Sequence, residues 1–220
     1  MTPTLFVGNK NYSSWSLRPW LALTWGQIAF EERVIPLGVE GYGKSEIAAV
    51  RAVSPSGRVP VLHVDGAVIH ESLAIAEWAA EASPSLWPSD PLRRAEARAL
   101  ACEMHGGFAA IRTALSMNIR RRMEAPPPLD ARTTSELAHL FDAWSRALDR
   151  SGGPFLFGAR TIADAMFAPV ATRLRTYAIE TPEPSQAYCT AILEDDAFRA
   201  WERAAEAETW TIDSAEALYR

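Results

Sequence analysis

The chain has 220 residues, of which 48% are hydrophobic and 22% are charged, and these values are typical of a globular protein with one or two domains. Its net charge of −5 argues against a nucleic-acid partner, because contacts with phosphates need a basic face. Its two cysteines, Cys102 and Cys189, are too few for a disulfide framework or a cysteine-rich metal site, and its four histidines show no metal-ligand spacing, so no metal is expected.

The N-terminal segment has no basic region followed by an apolar core, and no apolar run approaches the ~20 residues that a membrane span needs. We therefore expect a cytoplasmic protein without a membrane partner. Residues 5–7 predict a short buried strand, and residues 8–11, which are rich in glycine and asparagine, predict a turn after it.

The segment at residues 12–23, YSSWSLRPWLAL, predicts a junction between a strand and a helix, with serines at the start of the helix. Any of these serines could simply cap the helix. In a second interpretation, one hydroxyl donates a hydrogen bond to a bound thiolate. A hydrogen bond to a charged group contributes roughly 1.5–3 kcal/mol, which would lower the pKa of a thiol by about one to two units.

A second strand is predicted at residues 31–37, where Pro36 ends it, and a flexible loop and a weak helix follow at residues 38–50. Further on, Asp65-Gly66 lies between two apolar runs and predicts a hairpin with a two-residue turn. The resulting order of strands and helices is that of a thioredoxin-like domain, in which a crossover joins the first two, parallel strands.

Pro60 opens the first strand of this hairpin. A proline has no N–H, and it is tolerated at the start of a strand, at a sheet edge or in a special turn, which can contain a cis bond. We therefore expect the bond between Val59 and Pro60 to lie at a free edge. There the N–H and C=O of Val59 could pair with the backbone of an extended peptide.

Ser72 precedes an apolar pattern at helical spacing and is the predicted N-cap of the next helix. The N–H groups and dipole of a helix N-terminus attract a carboxylate, while the side chain of Glu71 could bind an adjacent ammonium group. A peptide edge, an anion site and a cation site together describe glutathione, an amide-linked tripeptide with a zwitterionic end. The alternative is an ordinary hairpin and helix, in which Ser72 is a structural cap and Glu71 is solvated.

The run G-R-V-P-V-L, followed by D-G and then by E-S-L-A-I-A-E-W, is similar to the glutathione-binding half of the cytosolic glutathione transferase family. The resemblance implies that glutathione is the co-substrate. It also implies that Lys44 or Arg58 binds the glycyl carboxylate, although either is as well explained as a solvated side chain. The candidate glutathione-binding residues are Trp15, Lys44, Arg58, Val59, Pro60, Glu71 and Ser72.

The segment Y-S-S-W-S-L-R resembles S-S-C-S-W-R, the serine motif of the zeta class of these transferases. It departs from that motif at Trp15, where the zeta class has a cysteine. Ser13 aligns with the catalytic serine of the zeta class, so the resemblance ranks Ser13 first and Ser14 second as the catalytic residue. Since none of residues 13–16 is a cysteine, a mixed disulfide with glutathione cannot form there, which argues against a glutaredoxin-like disulfide reductase.

Residues 83–91 are rich in proline and serine and predict a linker. It joins a thioredoxin-like, glutathione-binding domain at residues 1–82 to an all-helical bundle domain at residues 92–220, an α/β plus all-α fold class. Apolar stripes at residues 100–115 and 137–148 predict the core faces of two helices in the second domain.

The pair Gly106-Gly107 lies inside the first of these stripes and predicts close packing or a bend. Thr161 and Asp164 form a variant capping box at the head of a buried helix. Together with Gly158 they match G-x-x-T-x-A-D, a motif of the C-terminal domain of glutathione transferases. Two closing helices are predicted at residues 185–192 and 196–207.

The resemblance further implies a pocket for an apolar electrophile between the two domains. Side chains from the first helical stripe and the segment after it could line this pocket, although the same residues also read as an ordinary helical core. The candidates are Met104, His105, Phe108, Ile111, Met117 and Asn118.

The implied protein is a homodimeric bacterial glutathione S-transferase, in which a serine activates the thiol of glutathione for attack on a small apolar electrophile. The nearest alternative is a glutathione-dependent isomerase of the maleylacetoacetate type, which the replacement of cysteine by Trp15 weakens. A second alternative is a non-catalytic binding or regulatory protein of the same fold, in which the serine only caps its helix.

Overall fold

The computed structural model describes residues 2–219, so residues 1 and 220, the ends of the two predicted domains, lie outside it. Its strands are β1 at Thr4–Gly8, β2 at Glu31–Ile35, β3 at Val61–Val64 and β4 at Ala67–His70. They form a mixed sheet in the order β2-β1-β3-β4. The helices of this part are α1 at Ser14–Trp25, α2 at Ala48–Arg51 and α3 at Ser72–Ala82. The predicted thioredoxin-like arrangement is thereby confirmed.

The rest of the described chain is helical. After a 3-10 turn at Pro84–Leu86 the helices are α4 at Pro91–Gly106, α5 at Ala109–Ala114, α6 at Ala131–Ser151, α7 at Ile162–Thr176, α8 at Ser185–Glu194, α9 at Asp196–Ala207 and α10 at Asp213–Glu216. The two predicted closing helices are confirmed as α8 and α9. Within residues 2–219, no helix is long and apolar enough to cross a membrane.

The hairpin forms at the predicted place. Val64 of β3 pairs with Ala67 of β4, and the two turn residues, Asp65 and Gly66, have φ angles of 47° and 84°. Positive φ at both turn residues is what a tight hairpin turn with the right twist requires, which explains why the sequence has Asp-Gly there. On the other side of the sheet, β1 runs parallel to β2 and antiparallel to β3.

The prediction of a free sheet edge at Val59 and Pro60 is wrong. β3 lies between β1 and β4, because Val61 pairs with Phe6 on one side and with His70 on the other. Pro60 is tolerated because it comes just before the ladder begins, where no N–H is needed. The backbone N–H and C=O of Val59 still have no hydrogen-bond partner within residues 2–219, because they precede the strand rather than line an edge.

The single helix predicted across residues 100–115 is also wrong, because the chain breaks between α4 and α5. Gly107 ends α4 in an extended conformation, and Phe108 takes a left-handed conformation with a φ angle of 55°. A side chain on Gly107 would approach the carbonyl oxygen of Glu103 to 2.8 Å. The glycine pair therefore permits a break in the helix rather than a bend or a close packing contact.

Helix α1 contacts both α3, from the part of the chain that contains the sheet, and α7, from the helical part. Its side chains Leu17 and Leu21 are fully buried in a core that both parts of the chain share. The predicted capping box at the head of α7 is confirmed, since the carboxylate of Asp164 accepts hydrogen bonds from the N–H and hydroxyl of Thr161. The capping box thus fixes the start of a helix that packs against α1.

Candidate active site

A cavity of about 430 Å³ lies where the N-termini of α1 and α3 approach the loop before β3. Eight of the sequence-predicted residues line it, namely Ser13, Ser14, Trp15, Arg58, Val59, Pro60, Glu71 and Ser72. They come from three separate segments of the chain, so their convergence supports the prediction that these segments form one binding site.

Ser13 and Ser14 are both 7% exposed. Ser13 is the N-cap of α1, and its hydroxyl oxygen accepts a hydrogen bond from the N–H of Ser16 at 3.3 Å. The same oxygen lies 2.8 Å from the hydroxyl oxygen of Ser16, which in turn accepts a hydrogen bond from the N–H of Gly8 at 3.0 Å. Ser13 therefore caps its helix and also lines the cavity.

The N-cap of α3 is Glu71 rather than Ser72, so the predicted cap is wrong by one residue. Glu71 has a φ angle of 73°, and its side chain forms no capping hydrogen bond. Ser72 is the first residue of the helix and is 1% exposed, and its hydroxyl has no hydrogen-bond partner within residues 2–219. The shift leaves the Glu71 carboxylate about half exposed, 3.6 Å from Nε2 of His105.

The structure distinguishes between the two basic residues that were candidates for the glycyl carboxylate. Arg58 lines the cavity, where its Nε donates a hydrogen bond to the hydroxyl of Ser45 at 3.1 Å. Lys44 is exposed and does not line the cavity, although its neighbours Gly43 and Ser45 do. The geometry favours Arg58.

Trp15 contacts two arginines that the sequence reasoning did not single out. The guanidinium carbons of Arg18 and Arg112 are 4.4 Å and 4.8 Å from the centre of its ring system. Arg18 is almost fully buried, and burial, with smaller effects from Arg112 and Arg173, holds its pKa well below the ordinary value. Arg18 is the arginine of the serine motif and follows Trp15 by three residues on α1, a spacing at which helical side chains are neighbours, whereas the contact of Trp15 with Arg112 depends on the fold.

His105 lies at the edge of the Trp15 ring, with ring centres 5.4 Å apart. Its pKa is lowered mainly by burial, with smaller contributions from Arg18 and Arg112, and the charge of Glu71 opposes this shift. Since the ordinary histidine pKa is near 6.5, lowering it favours the neutral ring at neutral pH. His105 contacts two residues that line the cavity, Trp15 and Glu71.

None of the six electrophile candidates, His105 included, lines the cavity. Met104, Ile111 and Met117 are at most 2% exposed and belong to the shared core. Phe108 stacks on His139 with ring centres 5.9 Å apart, and Asn118 accepts a hydrogen bond from the side chain of Asn11 at 2.9 Å. The alternative interpretation, an ordinary helical core, fits these residues better, because apolar stripes bury against neighbouring helices.

The cavity has lining residues that sequence reasoning missed, among them Tyr12, Tyr42 and Ile212. Ile212 reaches the cavity because the segment after α9 folds back over the N-terminal part. The carboxylate of Glu208 accepts hydrogen bonds from the backbone N–H groups of Lys10, at 2.7 Å, and Asn11, at 3.2 Å. No local pattern signals a contact between residues so far apart in the chain.

Comparisons with known proteins agree with this geometry. Residues 12–82 match the family described as glutathione S-transferase, N-terminal domain, and residues 104–205 match glutathione S-transferase, C-terminal domain. A maleylpyruvate isomerase from Ralstonia sp is 30% identical over 223 residues, which cover 91% of this chain and 99% of the relative. The chain belongs to the glutathione S-transferase family.

A probable maleylacetoacetate isomerase from Caenorhabditis elegans is 32% identical over 125 residues, 56% of this chain and 56% of that protein. Among solved structures, a glutathione transferase homologue from Burkholderia GL BGR1, crystallised with bound glutathione, has a TM-score of 0.73 and 24% identity. The match covers 94% of this chain and 100% of that one. The predicted glutathione transferase fold is confirmed, and family membership supports a glutathione-dependent enzyme function.

Proposed function

We propose that this transferase-family chain binds glutathione in the cavity and that Ser13 stabilises the glutathione thiolate for attack on a small electrophile. The observation that carries the proposal is the position of the Ser13 hydroxyl, in the cavity wall at the N-terminus of α1. An ordinary thiol has a pKa near 8.5, and a helix N-terminus lowers it. A hydroxyl donor lowers it further, so that more of the thiol is thiolate at neutral pH.

The surrounding residues suit the rest of the glutathione molecule. The unpaired N–H and C=O of Val59 can pair with the peptide backbone of glutathione. The N-terminus of α3 at Ser72 suits the α-carboxylate of the γ-glutamyl end, and Glu71 suits its ammonium group. Arg58 is the better candidate for the glycyl carboxylate, with Lys44 as the alternative.

In a transfer reaction, the thiolate sulfur attacks an electron-poor carbon and forms a new C–S bond. The leaving group departs with the electron pair of the bond that breaks, and the proton lost from the thiol goes to solvent. Glutathione is consumed in equal amount to the electrophile. Ser13 contributes by donating a hydrogen bond to the sulfur before the attack.

The named relatives favour a second form of the same chemistry, the isomerisation of a maleyl compound. Here the thiolate adds to a double bond conjugated with a carbonyl, and the electron pair of the double bond moves onto the carbonyl oxygen. Rotation about the resulting single bond and expulsion of the thiolate then leave the trans isomer and free glutathione. Trp15 replaces the cysteine of the zeta motif, but the chain keeps the serine that this addition needs.

We further propose that the enzyme acts in the cytoplasm as a homodimer.

The third alternative, a non-catalytic binding protein, predicts a Ser13 hydroxyl that caps α1 and has no effect on the thiol. The catalytic alternatives predict a lowered pKa for the thiol of bound glutathione, whereas the binding-protein alternative predicts an ordinary one.

The test is the thiolate absorbance of bound glutathione as a function of pH, in the wild type, Ser13→Ala and Ser14→Ala. A lowered thiol pKa that Ser13→Ala raises by about one to two units would support the proposal. If glutathione binds with an ordinary thiol pKa in all three proteins, the binding-protein alternative takes its place. Glutathione consumption then separates the two reactions, since a transferase consumes one glutathione per turnover and an isomerase consumes none.

A further inference from the structure

We infer that Ser16 is a positioning residue, whose buried hydroxyl fixes the direction of its hydrogen bond with Ser13 so that the Ser13 proton is left for the cavity. The inference rests on the proposed function of Ser13 and adds a second hydroxyl to it. Ser16 itself does not line the cavity and would not touch the thiolate.

The inference begins from three hydrogen bonds that meet at the start of α1. The N–H of Gly8, the last residue of β1, donates to the hydroxyl oxygen of Ser16 at 3.0 Å. The hydroxyl oxygens of Ser16 and Ser13 are 2.8 Å apart, and geometry alone permits either to be the donor. The N–H of Ser16 donates to the hydroxyl oxygen of Ser13 at 3.3 Å. These bonds connect the end of the first strand to the cavity wall.

Counting protons fixes the direction of the middle bond. A serine hydroxyl has one proton to donate and two lone pairs that accept. Ser16 is 0% exposed, so its proton cannot reach solvent. Within residues 2–219, the one acceptor within hydrogen-bond distance of that hydroxyl is the hydroxyl oxygen of Ser13. If Ser13 donated instead, Ser16 would accept twice and bury an unpaired proton, which native structures avoid because it is costly.

With Ser16 as the donor, Ser13 accepts two hydrogen bonds, one from the Ser16 hydroxyl and one from the Ser16 N–H. Both lone pairs are then occupied, and the only remaining hydrogen-bonding capacity of Ser13 is its own proton. Ser13 lines the cavity, so this proton is available to a bound sulfur. Successive hydrogen bonds in one chain polarise each other, which makes the last donor stronger.

The same argument separates Ser13 from Ser14. Ser14 is equally buried and also lines the cavity. Its hydroxyl, however, has no hydrogen-bond partner within residues 2–219, and its N–H donates to the carbonyl of Tyr12 at 3.0 Å. No neighbouring donor fixes the direction of the Ser14 proton. Ser13 is therefore the serine whose hydroxyl proton is directed by its neighbours and left free for a ligand in the cavity.

The experiment measures the pKa of the bound glutathione thiol in Ser16→Ala, Ser13→Ala and the double variant. We expect Ser16→Ala to raise this pKa by about 0.1–0.6 unit, less than Ser13→Ala does, because Ser13 keeps its own proton but loses a polarising donor. In the double variant, Ser16→Ala should add nothing to the effect of Ser13→Ala, since Ser16 acts through Ser13. The dissociation constant of glutathione should change by less than about twofold.

Two further variants keep the test decisive. Ser16→Thr keeps the hydroxyl and should have the wild-type pKa of the bound thiol. Ser16→Cys has a side chain of similar shape but a weaker donor, and it should raise this pKa. If Ser16→Ala does not fold, this pair carries the comparison. The control is Thr24→Ala, which removes another hydroxyl of α1, one that donates to the carbonyl of Trp20. It should leave the thiol pKa unchanged.

The outcomes separate the inference from the proposed function. If Ser13→Ala raises the thiol pKa and Ser16→Ala leaves it unchanged, Ser16 has no positioning role although Ser13 remains the activating residue. A Ser16→Ala effect that appears in full on the Ser13→Ala background would likewise overturn the inference, because it would not pass through Ser13. If Ser13→Ala has no effect, the serine mechanism itself fails and the inference fails with it.

Discussion

The hydroxyl of Tyr12 donates a 2.6 Å hydrogen bond to the carboxylate of Glu216, which joins the cavity wall to the C-terminal segment of the chain. Arg120 donates to the same Tyr12 oxygen at 3.0 Å, and Asn118 donates to the same Glu216 oxygen at 2.9 Å. The pKa of Tyr12 is raised, first by burial and then by the hydrogen bond with Glu216. The two parts of the molecule are therefore joined beside the proposed glutathione site.

Tyr12→Phe should lower the free energy of unfolding by about 1.5–3 kcal/mol, because it removes a hydrogen bond to a charged group and leaves Arg120 with one acceptor fewer. Chemical denaturation of both proteins measures the difference. The control is Tyr42→Phe, since Tyr42 is 45% exposed and its hydroxyl has no hydrogen-bond partner within residues 2–219. Equal free energies of unfolding for the wild type and Tyr12→Phe would mean that the hydrogen bond between Tyr12 and Glu216 does not stabilise the fold.

Asp164 gives the stability of the protein a specific dependence on pH. Burial raises its pKa from the ordinary 3.8 to about 6, against the opposing effect of hydrogen bonds from Leu156 and Thr161. Between pH 3.8 and about 6 the carboxyl of Asp164 binds more protons in the folded state than in the unfolded state. It therefore stabilises the fold most below pH ~4 and loses that contribution as the pH rises through ~6. Its size is at most about 3 kcal/mol.

We expect Asp164→Asn to be less stable than the wild type at both pH 4 and pH 7, because the amide nitrogen of asparagine cannot accept the hydrogen bonds that one of the two carboxyl oxygens accepts. The stability difference between the two proteins should be larger at pH 4 than at pH 7, since only the wild type loses a contribution over that range. Urea denaturation at the two pH values measures it. A difference that is constant or grows with pH would contradict a raised pKa at Asp164.

The features that sequence predicted correctly depend on local patterns. Asp65-Gly66 specifies a tight turn by its φ angles, and the capping box of Thr161 and Asp164 needs only residues three positions apart. The position of Ser13 as the N-cap of α1 is local in the same way, because a serine before an apolar helical pattern is visible in the sequence, while its catalytic role stays a prediction.

The features that sequence missed depend on contacts between distant residues. β3 is an interior strand because β1 pairs with it, and Glu208 reaches the backbone of Lys10 only after the whole chain has folded. The apolar residues of α4 and α5 could equally have lined a pocket or formed a core, and the burial of Met104 follows from the contact of α4 with α7. Hydrophobic periodicity cannot distinguish these cases.

Arg58 and Lys44 provide a matched pair for the glycyl carboxylate. Arg58→Ala should weaken glutathione binding by about 5–10-fold, because an ion pair at an exposed site contributes about 1 kcal/mol. Lys44→Ala should change the dissociation constant by less than about twofold, since Lys44 does not line the cavity. Titration calorimetry measures both. The reverse order would show that the loop of residues 41–45 moves to bring Lys44 onto the ligand.

Trp15 is where the chain departs from the zeta motif, and its neighbours explain why a tryptophan suits this position. Two guanidinium groups lie within 5 Å of its ring centre, and such cation–π contacts contribute about 0.5–2 kcal/mol each depending on burial. Arg18 is nearly fully buried, and its Nη1 has no hydrogen-bond partner within residues 2–219. Without the Trp15 ring, this buried charge would also lose the aromatic face that it contacts.

Trp15→Cys restores the zeta motif at this position and should lower the free energy of unfolding by about 2–3 kcal/mol, from the lost cation–π contacts and lost packing. Trp15→Phe keeps an aromatic face and should cost about 1 kcal/mol. Trp210→Cys, at a tryptophan that is 44% exposed, is the control and should cost less than about 0.5 kcal/mol. If Trp15→Cys is as stable as the wild type, the arginines do not need the ring, and its place in the cavity wall must be explained by the ligand alone.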